Sequence, residues 1–525
     1  MCESAAVLIC AILAYIGGRG VPKLGIVQRR VIFLTGLFAI VAAACGTSDP
    51  GVTAVGSQRN GGGLIPTEST QPGDTLPPTR NYDIIDGVVD FGEAGPQHPE
   101  YDGFLTAAFG DIETFWAEAF PEAYGGKAFE PLSGGIFAAY PDRKAPIPGC
   151  GKPQSSYQDV ADGSAFYCIA GDFMAYDDAG ALPGLVDLLG KEAVAIVLAH
   201  EFGHAIQARA GEWENPTVLK EQQADCFAGA WTAHVASGGS DLISFDDAAV
   251  RAGLVAMIYV RDPIEGAGLN DPNAHGTGFD RVGAFQDGFV GGATRCVPFF
   301  TSPPTLVDIP FDATDVNAGN LPLIDPAPDA TTGPADIITL IPLSLRLFWE
   351  QLAAGNAFAF TAPAVVGFPT AGPFPSCAGV DEAAYKGNIV FCPADNTIYW
   401  DQDVMLELST NTLTGDMSVG YLFSNAYSEA VQTALASTRT GETRALFDDC
   451  LTGAWVAYIV PDATGQLPND GRTDTLLLSA GDLDEAIVTA IGRSDSSTDT
   501  NVLGSAFEKI DAFRSGVLGG VDVCE

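Results

Sequence analysis

Residues 191–210 read KEAVAIVLAHEFGHAIQARA, and residues 221–231 read EQQADCFAGAW. In the first stretch Val194, Val197, Leu198, Phe202 and Ile206 recur at three- and four-residue steps, which predicts a helix over Lys191 to Arg209. On that helix His200 and His204 lie one turn apart on one face, close enough to hold a single metal ion. Neutral imidazoles suit zinc, and Glu201 beside them can take a proton from an attacking water. The chain has five histidines in 525 residues, so the His-Glu-x-x-His arrangement is not a product of composition.

A catalytic zinc site needs a third protein ligand and an open fourth position. The extended motif with a third histidine is absent, because Ala210 stands where that histidine would be. Instead Glu221 and Asp225, four apart on a second predicted helix, share a face. Glu221 can complete the ligand set, and Asp225 can accept the free ring N–H of a ligand histidine. Taken alone, the pair reads more readily as an exposed acidic face in an acidic chain. Its position shortly after the histidine motif favours the site.

Further along, Asn273-Ala274-His275-Gly276-Thr277 is followed by Arg281, Phe285, Gly288 and Cys296, while Cys150 and Tyr167-Cys168 lie upstream. Together with His200–Gln207 and Glu221–Trp231, these residues resemble the bacterial family called "putative neutral zinc metallopeptidase", over about Asp102 to Cys296. The resemblance implies His200, His204 and Glu221 as zinc ligands, Glu201 as general base, and Asp225 as support for a ligand histidine. The sequence departs from the family pattern at Ala205, where a further histidine is common, and at Ile169, where proline is common. Neither departure touches a proposed ligand. His275 is a candidate oxyanion donor, or else a loop histidine that supports the fold. His98 and His234 have no partner pattern and read as structural or exposed.

The cysteines carry a second message. Beyond Cys2, Cys10 and Cys45 there are eight, in two sets of four: Cys150, Cys168, Cys226, Cys296, then Cys377, Cys392, Cys450, Cys524. The interval from the second to the third cysteine is 58 residues in both sets. Neighbouring text agrees: Cys226-Phe227-Ala228-Gly229-Ala230-Trp231 parallels Cys450-Leu451-Thr452-Gly453-Ala454-Trp455, and Phe115-Trp116 is echoed by Phe348-Trp349. Arg281 and Phe285, then Gly288, Gly291 and Gly292, recur as Lys509 and Phe513, then Gly516, Gly519 and Gly520. Such agreement at separated places predicts two copies of one domain. Short loops favour Cys150–Cys168 and Cys377–Cys392, leaving Cys226–Cys296 and Cys450–Cys524, although four cysteines permit three pairings.

On this register His200 becomes Asn425, Glu201 becomes Ala426, His204 becomes Glu429 and Glu221 becomes Ala445, while Asp225 is kept as Asp449. The second copy is expected to fold and to bind no catalytic zinc, so one zinc ion per chain is expected. Its role is open: a structural half, a gate over the cleft, or a recruiter of substrate.

Composition bounds the setting. A balance of 25 basic against 66 acidic residues gives a formal charge of −41, which repels phosphate backbones and argues against nucleic acid as a partner. Arg29 and Arg30 precede an apolar run, Val31 to Ala44, that ends at Cys45 and reads as a lipoprotein signal too short for a comfortable membrane span. Lipidation at Cys45 would place the protein on the outer face of the cell membrane; simple secretion or an uncleaved anchor are the alternatives. The first 26 residues fit a leader poorly, and a start near Val27 gives an ordinary one. Residues 46–79 are rich in Gly, Ser, Thr and Pro and read as a flexible tether. An even cysteine set in an exported chain suggests disulfides.

The expected organisation is a leader over 1–45, a tether over 46–79, a zinc metallopeptidase domain over 80–297, a Pro- and Asp-rich linker over 298–336, and a degenerate copy over 337–525. The expected fold is helix-rich α+β, a zincin-like domain in tandem. The expected activity is hydrolysis of a peptide or protein substrate, with a non-catalytic binding or assembly lipoprotein as the alternative and cell-wall amidase action as a third reading. Substrate preference and oligomeric state are not legible.

Overall fold

The computed structural model describes residues 82–525, apart from 214–216, 262–274, 308–319, 332, 357, 412–413, 462–475, 480, 495–504 and 525. The expected leader, the lipidation candidate Cys45 and the tether lie outside the described residues.

In the first half the main elements run α1 (Asp102–Ala123), β1 (Gly135–Ala139), β2 (Ala165–Cys168), β3 (Phe173–Asp177), α2 (Ala181–Leu189), α3 (Lys191–Ala210), α4 (Thr217–Ala236), α5 (Asp247–Tyr259) and α6 (Gly278–Gly291). Strand β3 lies centrally, parallel to β1 and antiparallel to β2. Every residue of Phe173–Asp177 is buried, because the strand has neighbours on both edges and helices against it. The protein is helix-rich with small sheets, an α+β architecture.

The second half repeats this order as α7 (Ile337–Asn356), β4 (Ala364–Phe368), β5 (Ile389–Cys392), β6 (Thr397–Asp401), α8 (Gln402–Thr410), α9 (Gly415–Ala434), α10 (Gly441–Ile459), α11 (Asp482–Gly492) and α12 (Ala506–Gly519). Its sheet has the same topology: β6 is central, parallel to β4 and antiparallel to β5. Helix α7 is long and apolar enough to cross a membrane by composition, but Ile341, Leu345, Phe348 and Trp349 are buried in the core.

Local details match across the halves. Helix α6 is capped by Thr277, whose side chain accepts from the Asp280 N–H, and α12 by Ser505 in a capping box with Glu508. Trp231 donates to Asp111 at 2.8 Å, and Trp455 donates to Ser344 at 3.2 Å. Disulfides link Cys150 to Cys168, Cys226 to Cys296, Cys377 to Cys392 and Cys450 to Cys524.

The tightest helix contact in each half depends on glycine. A Cβ on Gly229 would lie 2.0 Å from the Phe285 carbonyl oxygen, and one on Gly288 would lie 1.7 Å from that of Cys226. At Gly453 and Gly516 the corresponding distances to Phe513 and Cys450 are 2.0 and 1.9 Å. Helices α4 and α6, like α10 and α12, therefore meet backbone to backbone, and no side chain of any kind fits at the crossing.

The halves join along α6 and α12. Phe279 faces Phe513 with ring centroids 6.3 Å apart, and Phe285 faces Phe507 at the same 6.3 Å. Since Phe279 and Phe285 correspond to Phe507 and Phe513, the contact is reciprocal, as at a two-fold interface. Arg514 covers the Phe279 ring at 4.1 Å, and Arg261 pairs with Asp484 at 2.6 Å. The stretch read as a linker is fastened at its described ends. The Val307 N–H donates to Asp280 at 3.1 Å, and the Leu321 N–H donates to Asp416 at 2.7 Å.

Candidate functional site

Helix α3 is the centre of the first half. Its residues Ala193, Val194, Ile196, Leu198, Phe202, Ala205 and Ile206 are buried, so it is covered nearly all round. It ends at Gly211, whose φ of 86° is open to glycine and lets the chain turn back toward α4. His200 and His204 then face Glu221 of α4. Glu221 Oε2 lies 3.2 Å from His200 Nε2 and 3.5 Å from His204 Nε2. The three donor atoms fall within 4.8 Å of one another.

Both rings are oriented from behind. His200 Nδ1 lies 2.7 Å from Asp225, and His204 Nδ1 lies 3.0 Å from Gln207 Oε1. With Nδ1 engaged, each Nε2 is directed at the common centre, the usual way a protein aims ligand histidines. Arg281 of α6 holds Asp225 in turn, through Nε at 2.9 Å and Nη2 at 2.7 Å. Arg281 and Asp225 are both fully buried. Glu221 Oε2 is buried yet makes no hydrogen bond. Two imidazole nitrogens and an unbonded buried carboxylate oxygen are the donor set that a tetrahedral zinc takes, and they fit it.

The electrostatics agree. Burial opposes charge on the His200 ring, but the Asp225 and Glu221 carboxylates outweigh it and raise its pKa to about 10. Burial likewise opposes charge on His204, and Glu221 turns the balance upward. Against its own burial, Glu221 is held well below the usual carboxylate range by His204 and His200. Asp225 is lowered too, where Arg281 and His200 outweigh burial. The pocket thus demands positive charge beside its carboxylates, which protons supply and a metal cation would replace.

Glu201 is half-buried, and its carboxylate is near enough to act on the charge of His204. His275 is exposed; its backbone carbonyl accepts from Gln222 at 3.2 Å, which ties its loop to the residue after Glu221. His98 stacks on Tyr101 and contacts the Asp178 carbonyl at 2.9 Å, and His234 packs on Phe115.

The matching positions of the second half hold other chemistry. Asp449 is held by Lys509 at 2.5 Å and accepts from the Tyr421 hydroxyl. Asn425 donates to Thr452 at 2.8 Å, and Glu429 pairs with Arg444. Gln432 donates to the Arg444 carbonyl at 3.2 Å, as Gln207 does to that of Lys220 at 2.6 Å.

Sequence reasoning singled out neither Gln207 nor Arg281 for a role. Arg281 was legible: a cation stands at its place in both halves, opposite an aspartate kept in both, Asp225 and Asp449. Trp213, edge-on to His204 at 6.2 Å, had no such signal.

Residues 90–299 match a family model described as "Putative neutral zinc metallopeptidase". The "Uncharacterized protein YpfJ" of Escherichia coli strain K12 is 29% identical over 163 residues, which cover 27% of this chain and 54% of its own length. The protein of the same description from Escherichia coli O6:H1 matches to the same extent. The chain thus spans about half the length of the curated relatives it matches. No solved structure matches.

Proposed function

We propose that this chain is a zinc-dependent peptidase with one active site, built in the first half and acting at the outer face of the cell membrane. One observation carries the reading: His200 Nε2, His204 Nε2 and a buried, unbonded Glu221 oxygen converge from two helices. The match of residues 90–299 to the zinc metallopeptidase family supports it. When bound, zinc supplies Lewis acidity, making water acidic near neutral pH and polarising a carbonyl.

The chain's own residues do the rest. Asp225 and Gln207 fix the two rings, so the ligands need no rearrangement. Glu201, the catalytic base on this reading, takes the proton of the attacking water and delivers it to the departing amine nitrogen. His275, on a loop tied to α4, is a candidate donor to the oxyanion. The second half is a diverged copy of the same domain that serves as a structural partner. Export through the leader and lipidation at Cys45 would set the site in the compartment where the disulfides form.

Zinc content and casein cleavage by the purified chain test this together. About one zinc per chain, lost in His204→Ala, with cleavage lost in Glu201→Ala at unchanged zinc, would establish it. Zinc without cleavage of any peptide substrate would favour the binding lipoprotein, and absence of zinc would end the proposal.

A further inference from the structure

The second half holds a cluster that has no part in the zinc reading. Asp416 at the start of α9 and Asp482 and Glu485 in the first turn of α11 bring three carboxylates together, with one oxygen from each within 4.8 Å of the others. Each residue is more than nine-tenths buried, at 6%, 2% and 6% exposure. Among the described residues no basic side chain pairs with any of the three; Arg261, close by in the fold, is engaged by Asp484. Like charges so placed repel one another and need compensation, from protons or from a cation.

The oxygens are held rather than loose. Asp416 accepts from the Leu321 N–H at 2.7 Å, Glu485 from the Met417 N–H at 2.9 Å, and Asp482 from the N–H and hydroxyl of Ser479 at 2.6 Å each. Yet the second oxygen of Asp416, Oδ1, is fully buried and has no hydrogen-bond partner. A buried carboxylate oxygen with no hydrogen-bond donor, beside two other buried carboxylates, is available to a cation. The backbone also makes room. Gly415, at φ +32°, would place a Cβ 2.0 Å from Glu485 Oε1 and 2.1 Å from the Asn320 amide nitrogen. That amide lies 3.2 Å from Glu485, and turned over it would offer a fourth oxygen.

We propose that Asp416, Asp482 and Glu485, with Asn320, form a second metal site that takes one hard divalent cation of the calcium class. All donors are oxygens, which excludes a preference for zinc. The three oxygens lie close enough together to share one ion with bonds of about 2.4 Å, the length that calcium makes to oxygen. Magnesium keeps several waters and shorter bonds, and a buried all-protein cage does not suit it. The site belongs to the second half alone: the register that carries His200 to Asn425 carries Lys191 to Asp416. It stands independently of the zinc proposal.

The test is calorimetric titration of calcium chloride into the full chain after treatment with EGTA and dialysis, with magnesium chloride as the parallel arm. One saturable calcium per chain is expected, with a thermal midpoint that rises with calcium and far less response to magnesium. Glu485→Gln and Asp416→Asn should each weaken calcium binding at least tenfold. Both replacements are isosteric and remove repulsion, so the calcium-free variants should unfold no lower than the wild type, and zinc content should not change. The proposal is overturned if the wild type shows no saturable calcium binding, if magnesium binds equally well, or if both folded variants bind calcium as the wild type does.

Discussion

Where His200 contacts Asp225 in the first half, Tyr421 donates to Asp449 in the second. Both aspartates are fully buried and both are also held by a cation, Arg281 in one case and Lys509 in the other. The frame around the carboxylate is common to both halves, and the group it orients differs. In the first half the donor is an imidazole whose other nitrogen faces outward to a second histidine and Glu221. In the second it is a phenol, one helical turn earlier, whose ring ends there. Likewise His204 gives way to Glu429, which closes on Arg444 instead of leaving a donor open. Buried polar groups must be satisfied whether or not they have a task. A half that has no imidazoles still needs partners for its buried aspartate, and it fills the space with internal ones.

The comparison can be broken most sharply at Glu201. Glu201→Gln should lower kcat on peptides by about 10³-fold while leaving zinc content at the wild-type level, since the proposed reading makes the side chain a base and not a ligand. Ala426→Glu, its counterpart, should confer no second activity. Loss of zinc with Glu201→Gln would show that the residue holds the metal.

The next test concerns the ligands. Glu221→Ala should leave only a small fraction of one zinc per chain, measured by elemental analysis after gel filtration. Glu429→Ala should keep the zinc and instead destabilise the chain by about 1–3 kcal/mol in denaturant melts, because Arg444 loses its partner in a mostly buried place. Equal zinc loss in both variants would contradict the division of labour.

A smaller effect should separate Arg281 from Lys509. Arg281 engages Asp225 through two nitrogens, which a lysine cannot do. Arg281→Lys should weaken zinc affinity roughly 10–100-fold, as loss of support behind a ligand does. Lys509→Arg should leave it unchanged. If the two swaps act alike on zinc, the cations serve only the fold.

The smallest effect is on pH. Asp178, just past β3, is pushed up to about 7 by burial and by repulsion from Asp102. Its raised pKa favours the folded chain below about pH 4, and that contribution is lost as pH rises toward 7. The second half has Gln402 at this place, which does not titrate. Asp178→Asn should therefore flatten the stability profile between pH 4 and 7, read from urea melts across that range. An unchanged slope would place the titration elsewhere.

Legibility followed sequence distance. The pair His200 and His204 and the pair Glu221 and Asp225 each sit within one helical turn, so a periodic reading was enough to align them. Arg281 reaches Asp225 across 56 residues, and only the repeated cation hinted at it. The carboxylates of Asp416, Asp482 and Glu485 come from two helices of the second half, and no spacing rule joins them. Nor could periodicity reveal that α6 and α12 face each other, because that contact is set by how two apolar surfaces dock.

The reciprocal pairing of Phe279 with Phe513 and of Phe285 with Phe507 has a consequence for dilution. In a dimer of separate chains such a contact dissolves as the concentration falls, and every substitution in it acts twice. Here the partners are covalently joined, so their effective concentration does not depend on how much protein is present. A substitution also touches one face only. The two halves can then drift apart in chemistry while each remains the other's permanent neighbour, and a scarce protein keeps the same assembly as an abundant one.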